Sequence, residues 1–176
     1  MMKRIALLAL VCCLTSAASA SEIEDTIVLA EQGYDKAQYN LALMHYDGKG
    51  VPQDHAEAVK WFSKAAEQGY DKAQYNLALM YYDGKGVPQN HAEAVKWFHK
   101  AAEQGHDKAQ YDLALMYGKG EGVPQNYVEA YAWSNLAAAS GYANGIKARD
   151  IIANALSPAD LDAAQKRAAK LSEEIQ

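Results

Sequence analysis

An all-α chain, built as a solenoid of stacked helical hairpins, is the fold class this sequence predicts. Three observations carry that expectation. The segment Gly33-Tyr34-Asp35-Lys36-Ala37-Gln38-Tyr39 returns as Gly69-Tyr70-Asp71-Lys72-Ala73-Gln74-Tyr75, and again as Gly105-His106-Asp107-Lys108-Ala109-Gln110-Tyr111. The step is 36 residues each time, and Pro52, Pro88 and Pro124 keep it, as do Trp61, Trp97 and Trp133. Within each step, two runs of apolar residues at helical spacing are separated by glycines. One such hairpin cannot bury its apolar stripe alone, so neighbours must stack into a continuous core.

The chain opens on a segment that reads as a removable leader. Met1-Met2-Lys3-Arg4 is basic, Ile5 to Leu14 is an apolar run, and Ala18-Ser19-Ala20 has the form of a cleavage site. The run is too short to span a bilayer as a helix, so residues 1–20 are expected to be a signal peptide cleaved after Ala20. Both cysteines, Cys12 and Cys13, lie within it, which leaves the mature chain no thiol for a disulfide or a metal. The remaining 156 residues carry 15 basic and 22 acidic side chains, a formal charge of −7. An acidic chain without a basic run is poorly suited to nucleic acid, whose binding rests on neutralising phosphates. No later apolar stretch reaches membrane-spanning length.

Residues 21–35 read as a capping half-repeat, since Ser21 to Gln32 ends in the same Glu-Gln-Gly as the later units. Full repeats are expected over 36–71, 72–107 and 108–142. In the first, helix A runs from about Lys36 to Tyr46, with Asp35 as its cap and Gln38 as the reciprocal partner. Asp47-Gly48-Lys49-Gly50 breaks it, because glycine adopts left-handed backbone angles freely. Helix B is capped by Asp54 with Glu57, and in the later copies by Asn90 with Glu93 and Asn126 with Glu129. It ends at Gln68 before Gly69. Gly141-Tyr142 echoes the start of the repeated motif, and residues 143–176 hold a degenerate repeat followed by a capping helix opened by Ser157-Pro158-Ala159-Asp160. On that helix Leu161, Ala164, Ala168 and Leu171 share one face, which is expected to close the core.

The pattern Ala37…Leu41-Ala42…Tyr46-x-Gly48-x-Gly50-Val51-Pro52…Ala58…Trp61…Ala65-Ala66…Gly69 resembles the Sel1-like repeat, a relative of the tetratricopeptide repeat. The resemblance implies a right-handed αα-solenoid of 36-residue helix-turn-helix units, with the A helices lining a concave face. It also implies a protein-interaction scaffold, of the kind many bacteria export to the periplasm or secrete. The cysteine-rich exported relatives staple each repeat with a disulfide that this chain lacks, so penicillin binding or hydrolysis proposed for that branch does not carry over.

A helical wheel places Ala37, Leu41 and His45 on the buried side of helix A. Tyr39, Leu43 and Tyr46 fall opposite, with Lys36 at the edge. The second copy supplies Lys72, Tyr75, Leu79 and Tyr82; the third supplies Lys108, Tyr111 and Leu115, then departs with Gly118 and Lys119. By the resemblance these eleven positions face the groove, where tyrosine offers a large, stiff ring with a hydroxyl that tolerates water. A protein or peptide partner is the expected ligand. The alternative for the tyrosines is packing between adjacent helices, and repetition alone does not separate the two.

Sequence signatures for catalysis are missing. His45, His55, His91, His99 and His106 form no His-Glu-x-x-His and have no cysteine partner. The Gly-Lys-Gly at 48–50 and 84–86 lacks phosphate-loop spacing and follows a helix. Neither Ser-x-x-Lys nor Gly-x-Ser-x-Gly occurs. The expectation is a non-enzymatic scaffold without metal or cofactor. A cell-wall or β-lactam hydrolase and a self-associating structural solenoid remain the alternatives.

Overall fold

The computed structural model describes residues 21–175, so the expected leader lies outside the described residues. Nine helices follow one another there: α1 over 21–31, α2 Asp35–Asp47, α3 His55–Glu67, α4 Asp71–Asp83 and α5 His91–Glu103. The chain continues through α6 Asp107–Lys119, α7 Tyr127–Ala139, α8 Ala143–Ala155 and α9 Pro158–Glu174. Helices α2/α3, α4/α5 and α6/α7 are the A/B pairs of three units, stacked in order as a right-handed solenoid. α1 stands where a preceding B helix would, and α8 where a fourth A helix would.

The turn chemistry acts largely as the residues suggest. Gly48, Gly84 and Gly120 end the A helices in left-handed backbone, where an L side chain would be strained. Asp54, Asn90 and Asn126 cap the B helices, each side chain accepting a backbone N–H of the first turn. The return half of that capping box is not made. The Asp54 N–H donates instead to the carbonyl of His45 at 2.9 Å, tying the start of helix B to the end of helix A.

The caps of the A helices overturn one expectation. Tyr34 and Tyr70, not Asp35 and Asp71, occupy the cap positions and supply no side-chain bond. Gln38 is buried and does not turn back to its own helix start. Its amide donates to the Ala30 carbonyl at 3.2 Å and its carbonyl accepts from Gln68 at 2.6 Å. Gln74 repeats this with Ala66 and Gln104, and Gln110 donates to Ala102. These carbonyls sit in the last turn of the preceding helix, where each also accepts the N–H of the glycine three residues on, so the buried amide adds a second bond that ties helix A to the end of the helix before it.

The core is made mostly of alanine. Ala58, Ala65, Ala73, Ala94, Ala101 and Ala109 expose nothing, and Leu41, Phe62, Leu77, Phe98 and Leu113 fill the spaces between them. Burying each of the larger side chains is worth about 1.5–3 kcal/mol. At the end of the stack, α9 lays Ala164, Ala168 and Leu171 against the last unit, as expected. Arg167 fastens it through Glu129 of α7 at 2.7 Å. His45 departs from the wheel: it is only partly buried, and its Nδ1 is enclosed without a partner.

Consecutive units meet most tightly at Gly86 and Gly122. Each has left-handed φ, and a Cβ on either would collide with the backbone of the previous unit, at His55 or His91. Gly69 shares the left-handed φ but faces open space. Gly86→Ala is therefore expected to cost about 3 kcal/mol or more, against about 1 kcal/mol for Gly69→Ala. Urea melts of the two variants measure the difference.

Candidate functional site

Between successive A helices lie three hollows, each built from positions 36 residues apart. The first is small, about 50 Å³, and is lined by Tyr46, Phe62, Leu79 and Met80 with Asn76, Asp83 and Lys85. The second, about 210 Å³, uses the same stations: Tyr82, Phe98, Leu115 and Met116 with Asp112, Lys119 and Glu121. The third is the largest of the three at about 410 Å³, mainly apolar, with Lys119, Asn144 and Lys147 among its lining. There Gly118 stands in place of the tyrosine and Ala148 in place of Asn76 or Asp112, while Ile151 and Ile152 replace the leucine and methionine. Ile151 is 70% exposed, an unusual degree for a large aliphatic side chain.

The tyrosines have well-defined surroundings. Tyr46 stacks on His55 and Tyr82 on His91, with ring centroids 5.0 and 4.9 Å apart. Tyr39 packs against Phe62 and edge-on to Tyr70. Tyr75 packs against Phe98 and stacks on His106 at 4.5 Å. Tyr111 meets Tyr142 at 5.6 Å. Burial raises the hydroxyl pKa of Tyr39, Tyr75 and Tyr111, so all three stay protonated.

The predicted positions therefore divide. Tyr46, Leu79, Tyr82, Tyr111 and Leu115 line the three hollows. Tyr39, Tyr75, Lys72 and Lys108 surround a further opening of about 340 Å³ near the starts of the A helices, beside His106. Leu43 packs on the core of the first unit, and Lys36 is exposed. The rings pack between helices and line openings at once, so the two readings offered for them are not exclusive.

Asp112 was not among the expected positions, and it is the most perturbed carboxyl of the site. It replaces Asn40 and Asn76 of the earlier units. Its hydrogen bond comes from the Tyr75 hydroxyl at 3.1 Å. In the unit before, Asn76 is the donor and the Tyr39 hydroxyl accepts, at 3.5 Å. Burial pushes Asp112 up from its ordinary value near 3.8 to about 6, against the opposing pull of the Tyr75 bond, Lys108 and Lys119. Glu121, also missed, accepts the Tyr82 hydroxyl at 2.9 Å. The sequence signal for both was a break in an otherwise faithful repeat. Among the described residues no three His, Cys, Asp or Glu side chains gather as a metal site.

A stack of A/B hairpins with hollows along the A helices defines an αα-solenoid of the tetratricopeptide-related class. The Sel1 repeat matches residues 35–70, 71–106 and 107–142, and the chain belongs to that family. A protective antigen of uropathogenic Escherichia coli with an SLR fold is similar over 87% of this chain, at 36% identity and a TM-score of 0.80. The match takes in 33% of that protein, so this chain spans about a third of its length. A Sel1 repeat protein from Oxalobacter formigenes is 35% identical over 73% of this chain and 97% of its own, with a TM-score of 0.69. Cysteine rich protein B of Helicobacter pylori shares the fold at 17% identity and a TM-score of 0.60, covering 73% of this chain and 95% of its own. No curated protein matches the chain.

The raised pKa of Asp112 makes a stability prediction. Between about 4 and 6 the folded state binds more protons than the unfolded chain, so stability falls as pH rises through that window. Above it the full cost is present. Asp112→Asn, which restores the residue of the second unit, is expected to raise the melting temperature at pH 7.5 by a few degrees, on the order of 1–3 kcal/mol. The same substitution should flatten the melting temperature between pH 4 and 6. Thermal melts across pH measure both.

Proposed function

We propose that this protein is an exported protein-interaction scaffold that holds a segment of a partner protein across the hollows of its A helices. The observation that carries the reading is the row of three openings at one-repeat spacing, walled by tyrosine, leucine and isoleucine and rimmed by lysines. An extended or helical segment laid along the row meets a rigid frame, and little ordering of the scaffold opposes binding. Half-buried rings suit the task because their conformational freedom is already lost on folding. The Sel1 repeat family supports an interaction role over a catalytic one. Among the described residues, no helix is long and apolar enough to cross a membrane. The three-part leader of residues 1–20 supports export to the periplasm or beyond.

Two measurements test the reading. A photocrosslinking residue at Lys119, on the rim shared by the second and third hollows, should capture a discrete partner in the native cell envelope or secreted fraction. Ile151→Asp should cut that capture about tenfold, leaving melting unchanged because the side chain is exposed. A folded bait that captures nothing, or an Ile151→Asp bait that captures as well as the native chain, overturns the groove. N-terminal peptide mass spectrometry of the protein recovered outside the cytoplasm should begin at Ser21; a chain retained inside with residues 1–20 intact sinks the export reading.

A further inference from the structure

The first hollow shows what the second is shaped to hold. Lys85 lies over Tyr46 there, its ammonium donating to the tyrosine hydroxyl at 3.2 Å and standing 5.7 Å from the ring centroid. Asp83 completes the arrangement with an ion pair at 3.1 Å. One unit later these stations change charge together. Glu121 takes the place of Lys85 and Asp112 that of neutral Asn76, while Lys119 replaces Asp83. Lys119 reaches Glu121 only at 3.7 Å from the rim, with its side chain half exposed. The tyrosine, phenylalanine, leucine and methionine of the wall are unchanged. Where the first hollow is about 50 Å³, the second is about 210 Å³, with two carboxylates and one ammonium around it.

We infer that the second hollow is a subsite for a lysine side chain of the partner segment. Its aliphatic stem would lie against Leu79, Leu115 and Phe98, and its ammonium between Asp112, Glu121 and the Tyr82 hydroxyl. The inference rests on the proposed groove and names the chemistry of its ligand. Lysine fits because its stem buries readily while its head seeks charge-assisted bonds to carboxylates and hydroxyls. The seat needs that cation. Asp112 is largely buried beside Leu79, Phe98 and Leu115 with one hydroxyl donor and no ion pair, Lys108 and Lys119 acting on it only from further off, and a carboxylate in such a place is costly. The third hollow, adjoining the second through Leu115 and Lys119, would take an apolar residue of the same segment.

A pH dependence follows. An ammonium favours the ionised carboxylate, so binding releases a proton from Asp112 and weakens as pH falls through about 6. The charged and titratable groups around Asp112 are Tyr75 of α4, Tyr82 and Glu121 at the hollow, and Lys108, Tyr111 and Lys119 of its own helix. His106 stacks on Tyr75, and burial lowers its pKa from 6.5, so it charges only below its usual range.

The test is selection of a random heptapeptide phage library on the purified protein and on Asp112→Asn, Glu121→Lys and Ile151→Asp. Glu121→Lys supplies the lysine that the first station already carries and should fill the seat from within. Circular dichroism melts establish that each variant folds. The expected result is enrichment of lysine at one fixed position by the native chain, lost with Asp112→Asn and with Glu121→Lys. Exchange of that lysine for norleucine in a selected peptide should weaken binding about tenfold, and so should lowering the pH from 7.5 to 5. Peptides enriched without a basic preference, yet still lost with Ile151→Asp, overturn the lysine subsite and leave the groove standing. A native chain that selects no more than Ile151→Asp does overturns both.

Discussion

The structure depends on how closely its helices approach. Alanines with no exposed surface line the contacts within and between units, and at Gly86 and Gly122 even a methyl group would strike the backbone of the unit before. Helices held at such short range have little freedom to slide or rotate, because interiors pack like solids. Buried Gln38, Gln74 and Gln110 complement this contact by occupying carbonyls at the ends of preceding helices. Each unit is thereby clamped to the last in one geometry. That fixed step turns positions 36 residues apart into equivalent stations along a single surface.

Equivalent stations give each departure from the repeat a location. Tyr46, Tyr82 and Gly118 hold one station, Asn76, Asp112 and Ala148 another, and Leu79, Leu115 and Ile151 a third. The frame is constant while the walls pass from self-filled, through acidic, to apolar. Loss of the ring at Gly118 leaves Tyr127 without the stacking partner that His55 and His91 have, and it is 48% exposed. In the proposed groove, a graded row of this kind would read a sequence along a ligand, since each station would contribute its own preference to the difference between partners.

Much of the fold was legible because the same spacing occurs three times, which tests each inferred turn and cap against its copies. Helix B caps, the glycine breaks and the closing face of α9 all stand where the residue pattern puts them. The cap of helix A was misread for a physical reason. Asp35 followed by Gln38 has the local form of a reciprocal cap, but the glutamine is claimed by a carbonyl eight residues earlier, a tertiary contact that local pattern does not contain. The site was legible only in part. Helical periodicity identifies which residues share a face, and so found Tyr46, Leu79 and Tyr82. It treats repeats as alike, however, and so passed over Asp112 and Glu121, whose meaning lies in being unlike their copies.

The tyrosines and Asp112 differ in what they do for the fold. Removing a half-buried ring such as Tyr75 strips packing from Phe98 and His106, so its presence is explained by stability whether or not a ligand comes. Asp112 has no such explanation. Asn76 fills the same station one unit earlier, touching the equivalent tyrosine, and needs no desolvated charge to do so. A carboxylate held near neutral pH by an apolar wall lowers stability at that pH, and the frame tolerates it because the alanine contacts around it are already made. What the charge gives in return is an attraction that asparagine at the same place lacks. It is exerted on a hollow large enough to admit a side chain, at the one station where Lys85 has become an acid.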